Sequence, residues 1–201
     1  FTTVSPTYAS EIAGHQVIAP NIGKFVGVRN GIDIEIWDPE TDIFLPKGYN
    51  VDNVVEGKRA ARKALCERVG MAFMDKPLVG VISRLTNQKG VHLIQHTAHR
   101  ATDRGAQFIL LGSAPDPEIQ KRFDAFAQQI QNDNCRFEFK YDEPLSHLIY
   151  AAADFLVVPS MFEPCGLTQL TAMRYGTIPV VRHTGGLRDT VFDVDNDKAR
   201  A

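Results

Sequence analysis

Cysteine is scarce in this sequence: Cys66, Cys135 and Cys165 are the only three among 201 residues, and no two form a C-x-x-C pair. An odd, dispersed set supplies neither a disulfide framework nor a thiolate zinc site, and it suits a reducing compartment. No apolar run approaches the roughly 18 residues needed to cross a bilayer, which argues against a membrane span. No excess of one charge is present either, since 22 Lys and Arg face 24 Asp and Glu for a formal net charge of -2. That balance argues against a nucleic-acid or anionic-membrane partner. Two glycine signatures are missing as well. No G-x-G-x-x-G follows an apolar run, and no G-x-x-x-x-G-K-[ST] occurs, so the dinucleotide and P-loop fingerprints are both absent. The chain opens on Phe1-Thr2-Thr3-Val4 without an initiator Met or signal segment and closes on Asp197-Lys198-Ala199-Arg200-Ala201. It reads as a piece of a longer protein.

What is present is a βα rhythm. Hydrophobic residues make up 44% and charged residues 23%, enough to build a full core. From about residue 77, short β-branched runs recur at Leu78–Ser83, Gln107–Leu111, Arg136–Lys140, Asp154–Val158 and Thr177–Val181. Between them lie helix candidates near 90–104, 116–131, 144–153 and 167–175, the second with Ile119, Phe123, Phe126 and Ile130 on one face. Alternation of this kind predicts an α/β fold, a doubly wound parallel sheet over residues 77–201. Residues 1–76 are less regular. Thr7–Ala13 suggests a short helix, Lys24–Val28 a strand closed by the turn pair Asn30-Gly31, and Val55–Val69 a helix with a basic face. Asp38–Asn50, rich in Pro, Asp, Gly and Asn, reads as a connecting loop.

Open parallel sheets bind ligands at the carboxyl ends of their strands, so the residues after each run are the candidates. Arg84 and Lys89 read either as a diphosphate clamp, fork plus point charge, or as two solvated surface cations. Gly166 to Thr168 opens a helix whose free N–H groups favour a phosphate, or is simply a helix with a glycine start. Tyr141 is either a base-stacking ring or a partly buried core residue, and Glu163 either a polar-recognition carboxylate or a solvent-exposed loop acid. Thr184-Gly185-Gly186 is a ligand-facing turn or a plain turn. His92, His96 and His99 share a helical face but lack an accompanying carboxylate or Cys, so a metal site is not expected. Cys165 beside Glu163 has no His placed to activate it as a nucleophile.

Several segments together resemble the C-terminal half of the glycogen and starch synthases, retaining glucosyltransferases built from two Rossmann-like domains (the GT-B fold). They are VSPTYASEI (Val4–Ile12), NGID with WDP (Asn30–Asp33, Trp37–Pro39), SRLTNQKG (Ser83–Gly90), LLGSAPD (Leu110–Asp116), YDEPLSHLIYAAADFLVVPS (Tyr141–Ser160), FEPCGLTQLTAMRYG (Phe162–Gly176) and TGGLRDTV (Thr184–Val191). YNVDNVVEGKRAARKAL and SAPDPEIQ are most similar to the soluble class III starch synthases. The resemblance covers nearly the whole chain. It implies that residues 1–76 hold the end of an N-terminal domain and an interdomain linker, and that residues 77–201 hold a nucleotide-sugar-binding domain lacking its final helix.

The resemblance also implies roles. Arg84 and Lys89 would bind the diphosphate of ADP-glucose, Tyr141 would pack on adenine, and Glu163 would meet the glucose hydroxyls as the first acid of a Glu-x7-Glu motif. The backbone of Cys165, Gly166 and Leu167 with the Thr168 hydroxyl would cradle phosphates, and Thr184, Gly185 and Gly186 would form a loop near the sugar. The second acid of the motif is Thr171 here, a departure starch synthases share. The implied reaction moves glucose from ADP-glucose to the non-reducing end of an α-1,4-glucan (amylopectin, amylose or malto-oligosaccharide) in a plastid, with no metal and no other cofactor. The N-terminal Rossmann-like domain of the same polypeptide would be the partner of this donor half. Two alternatives are a nucleotide-binding fragment that transfers nothing and a UDP-sugar transferase of the same fold.

Overall fold

The computed structural model describes residues 1–197. At the N-terminus β1 (Thr2–Thr3) and β2 (Val26–Gly27) form a small parallel pair, with α1 (Pro6–Glu11) between them in sequence. Ser5 caps α1, its hydroxyl accepting from the Tyr8 N–H, and Pro6 occupies the first helical turn. The expected turn at Asn30-Gly31 is not formed. Because β2 runs parallel to β1 the chain does not double back there, and the turn falls at residues 34–36, where Asp33 Oδ1 accepts from the Glu35 and Ile36 N–H groups.

The βα rhythm then takes over. After α2 (Val54–Val69) come β3 (Leu78–Ile82), α3 (Val91–Asp103), β4 (Gln107–Leu111), α4 (Pro117–Ile130), β5 (Cys135–Glu138), α5 (Glu143–Ala152), β6 (Phe155–Val158), α6 (Thr168–Arg174), β7 (Ile178–Val181) and α7 (Gly185–Thr190). The five expected runs are the five strands, each within a few residues, and they form one parallel sheet in the order β5-β4-β3-β6-β7. The chain winds outward from β3 to β5, then returns to lay β6 on the other side of β3. That reversal makes the architecture Rossmann-like and puts a topological switch point between β3 and β6. The helix α7 was not expected, because two glycines at its start carry the composition of a turn.

The interior strand β4 is buried along its whole length, and its residues alternate between two cores. Phe108 and Leu110 face α3 and α4 with Val81, Phe123, Phe126 and Phe137. Ile109 and Leu111 face the other layer with Leu65, Leu78, Leu145, Ile149, Leu156 and Tyr175. Leu65 belongs to α2, so this helix, which precedes residue 77, packs on α5 and shares the core of the sheet domain.

Asp38–Asn50 is irregular, as its composition dictates, but it is more than a solvated connector. Tyr49 is buried and donates its hydroxyl to the Tyr175 carbonyl at 2.8 Å. The Asp42 and His147 side chains are each only 1% exposed, with Asp42 Oδ2 2.7 Å from His147 Nδ1. Tyr175 Oη donates to the same carboxylate oxygen at 2.6 Å, and the Phe44 N–H donates to Oδ1 at 2.9 Å. Burial raises the Asp42 carboxyl, but the hydrogen bonds from His147, Tyr175 and the Phe44 N–H outweigh it and hold the group below its ordinary value. The Trp37 ring lies flat on the His147 imidazole, centroids 4.3 Å apart and planes 15° apart. A segment that composition marks as a loop is thus pinned to the underside of α5 and α6.

Candidate functional site

The loops after β3 and β6 part at the switch point and then come back together. The β3 loop runs through Arg84 into a short 3-10 turn, Asn87–Lys89, and ends at Gly90 with φ +70. A Cβ at Gly90 would lie 2.3 Å from the Pro159 carbonyl oxygen, so only glycine lets the two loops meet backbone to backbone. The Met161 N–H donates to Gln88 O at 2.7 Å and fixes that approach. One result is an ion pair. Lys89 Nζ stands 2.5 Å from Glu163 Oε2, with the two side chains 20% and 9% exposed. Ser160 Oγ donates to the same oxygen at 2.8 Å. Glu163 is therefore a buried, doubly bonded carboxylate and not a solvated loop acid. Arg84 is exposed, and its guanidinium has no hydrogen-bond or ion-pair partner among the described residues.

Above these loops lies a cavity of about 410 Å³ whose walls include Arg84, Lys89, Tyr141 and Thr168. Tyr141 is 86% exposed at its edge, which makes the ring free for stacking and excludes the core reading. Asp142 next to it is held firmly: it caps α5 by accepting from the Leu145 N–H and takes two bonds from Arg68 at 2.8 and 2.9 Å. Thr168 begins α6, whose N-cap Leu167 has no side chain able to cap, so its first N–H groups are not met by a capping side chain. Gly166 precedes it at φ +75. Cys165 is buried, burial pushes its thiol up, and its Sγ lies 3.5 Å from the Gly166 carbonyl oxygen. A thiol held protonated in this way is a poor nucleophile.

Thr184, Gly185 and Gly186 do not line the cavity. The Gly185 N–H donates to Glu11 Oε1 at 2.8 Å and the Gly186 N–H to the Glu163 carbonyl at 2.9 Å. A Cβ at Gly186 would sit 2.2 Å from the Cys165 carbonyl oxygen. In this structure the pair buttresses the Glu163–Gly166 loop from behind. His92, His96 and His99 lie exposed along α3, and no group of three His, Cys, Asp or Glu among the described residues could hold a metal.

The sequence pattern alone does not single out Trp37, Lys140 or Tyr150, which also line the cavity. Lys140 looks like the end of a strand, but β5 stops at Glu138 and frees it. Tyr150 sits inside an apolar helix, and burial pushes its phenol up to about 12. Trp37 arrives from a segment more than 40 residues upstream of β3, a distance no local pattern bridges. A larger cleft of about 670 Å³ lies between α1 and the segment after α7, but of the residues that follow the strands it gathers only His183. The smaller cavity, at the switch point, is where cations, an aromatic face and helix N–H groups converge.

Residues 67–197 match the family model for glycosyl transferases group 1. This chain belongs to the group 1 glycosyltransferases. Along its whole length it is 62% identical to soluble starch synthase 3, chloroplastic/amyloplastic, of Solanum tuberosum, and it spans 16% of that protein. It is 49% identical to glycogen synthase 2 of Methylococcus capsulatus, covering 96% of the chain and 41% of the relative. Among solved structures it matches the catalytic domain of starch synthase IV from Arabidopsis thaliana bound to ADP and acarbose. The TM-score is 0.94 at 49% identity, over 98% of the chain and 42% of that structure. The expected resemblance to the starch and glycogen synthases and the expected Rossmann-like fold of a GT-B glycosyltransferase are both borne out. Arg84, Lys89, Tyr141, Glu163 and Thr168 all fall inside the region matched to the glycosyltransferase family.

Proposed function

We propose that this glycosyltransferase chain is the donor-binding half of a starch synthase, an ADP-glucose-dependent α-1,4-glucosyltransferase. It would transfer glucose, with retention at the anomeric carbon, to the non-reducing end of an α-1,4-glucan in a plastid. The convergence of Arg84, Lys89, Tyr141 and Thr168 on one cavity at the switch point carries the reading. The 62% identity to a protein named as a chloroplastic/amyloplastic starch synthase supports the reaction and the location. An ADP-bound starch synthase of similar fold supports the nucleotide.

In this proposal adenine stacks on Tyr141, and the diphosphate lies between Arg84, Lys89 and the N–H groups at Gly166–Thr168, with the Thr168 hydroxyl as a further donor. Glu163 takes the hydroxyls of the glucose, and Thr184-Gly185-Gly186 supports the loop that carries it. As the glycosidic bond breaks, negative charge grows on ADP. Cations and dipoles already in place stabilise that charge without reorganisation, the main source of rate in such a site. Arg84 and Lys89 then take the role that a divalent ion plays in other transferases. The glucan acceptor and the N-terminal Rossmann-like domain of the same polypeptide are the proposed partners.

Calorimetric titration of ADP, UDP and NAD into the chain tests the donor site, with Lys89→Ala as control and circular dichroism to verify folding. ADP binding that exceeds UDP and NAD binding, and weakens at least tenfold in Lys89→Ala, supports the reading. UDP binding as tight as ADP binding would favour the UDP-sugar alternative. A folded chain that binds no nucleotide would overturn the assignment of the cavity.

A further inference from the structure

Two of the three cations that line the cavity, Arg84 and Lys89 beside Lys140, are in different states. Arg84 is exposed and has no partner among the described residues, whereas Lys89 is already neutralised by Glu163 at 2.5 Å. The Glu163 side chain is 9% exposed and shares Oε2 between Lys89 and the Ser160 hydroxyl. Its other oxygen, Oε1, has no hydrogen bond among the described residues. An enclosed carboxylate needs donors, and losing one without replacement carries the full desolvation cost. Glu163 does not itself line the cavity, but it binds the lysine that a diphosphate would need.

We propose that Glu163 selects sugar-bearing over sugar-free nucleotides by competing for Lys89, and so expels the nucleoside diphosphate once its sugar has gone. The proposal rests on the donor-site reading of the cavity and adds a direction to it. When a nucleotide arrives carrying a hexose, the sugar hydroxyls donate to Glu163 in place of the ammonium. Lys89 turns to the phosphates, and every charge in the site keeps a partner. When the nucleotide carries no sugar, Lys89 must serve two anions at once, or leave a buried carboxylate unmet beside a diphosphate. After transfer the hydroxyls leave with the product, Glu163 takes Lys89 back, and the diphosphate loses its nearest cation. Ser160 remains on Glu163 in both states and holds the carboxylate in position for the exchange. A stability role for the pair makes no such distinction between ligands.

The test is calorimetry of ADP and ADP-glucose on the chain and on Glu163→Gln, which removes the charge and keeps the shape. The expected result is ADP binding about tenfold tighter in Glu163→Gln, the scale for relieving a like-charge contact, with ADP-glucose binding no tighter. Equal weakening of both ligands, or unchanged ADP affinity, overturns the proposal. A second measurement needs no variant. Free glucose at saturating concentration supplies the hydroxyls by itself, so it must tighten ADP binding to the unaltered chain by about fivefold or more, the usual size of a coupling between sites. Absent or negative coupling overturns the competition. Binding of neither nucleotide to the unaltered chain overturns the donor site and the competition together, whereas ADP binding without these shifts overturns the competition alone.

Discussion

Asp42→Ala examines the buried cluster that joins the 37–50 segment to the sheet domain. The carboxylate accepts from His147, Tyr175 and the Phe44 N–H, and its side chain is 1% exposed. Alanine removes the acceptor and leaves the His147 imidazole and the Tyr175 phenol only their long mutual contact at 3.3 Å in a closed space, where a stranded polar group costs about 1–3 kcal/mol. Breaking a buried charged contact from one side costs about 3–5 kcal/mol in comparable cases, so a loss of that size is expected at neutral pH. The pH dependence follows from the lowered carboxyl. Its stabilisation is complete above the unfolded-state value of about pH 4 and disappears as pH falls through the lower folded-state value. The difference between Asp42→Ala and the parent therefore shrinks as pH falls below about 4. Urea unfolding followed by Trp37 fluorescence measures it directly, because Trp37 is the single tryptophan and stacks on His147. A loss below about 1 kcal/mol, or one that grows as pH falls, would refute the assignment of Asp42 as an ionised core group with three hydrogen-bond donors.

Other outcomes are expected from the same contacts. Arg84→Ala and Lys89→Ala, introduced into the complete enzyme, should each lower kcat by about 10²-fold or more in a glucan-elongation assay, the scale for losing one preorganised donor. Tyr141→Ala should weaken ADP binding by about 1–3 kcal/mol, the usual value of stacking a base on an aromatic ring, with no change in thermal stability, since the ring is 86% exposed. Gly186→Ala should destabilise the chain severely, because the added methyl falls 2.2–2.6 Å from the Cys165 backbone. Gly14→Ala, with nothing within 4 Å, serves as the tolerated control in a melting experiment.

The sheet was legible because each strand carries its own signal. LVGVI, QFILL and FLVV are apolar, β-branched and separated by amphipathic helices, and a parallel sheet buries such runs on both faces. The strand-end rule then led to Arg84, Lys89, Tyr141, Glu163 and Thr168 without a contact map. What stayed hidden depends on partners far apart in sequence. Asp42 looks like any loop acid until His147, 105 residues on, and Tyr175, 133 residues on, close around it. The Lys89–Glu163 pair spans 74 residues and exists only because β3 and β6 are neighbours in the sheet. At Thr184-Gly185-Gly186 local composition indicated a turn, whereas close packing against the Glu163 loop demanded glycine inside a helix. Asn30-Gly31 misled for the opposite reason, since a strong hairpin signal has no force where the neighbouring strand is parallel.

The placing of Tyr141 at the far edge of the sheet has a consequence for how such a site diversifies. The proposed diphosphate grip comes from the loops after the adjacent strands β3 and β6, which brace each other through Gly90 and Met161. The ring offered to the base follows β5, an outer strand, and is bonded to neither of them. The part proposed to recognise the base thus lies on a different strand from the part proposed to bind the phosphates. On the proposed reading, substitutions around Tyr141 would exchange one nucleobase for another while leaving the electrostatics at the phosphates intact, so donor choice would drift within this fold at little risk to its chemistry.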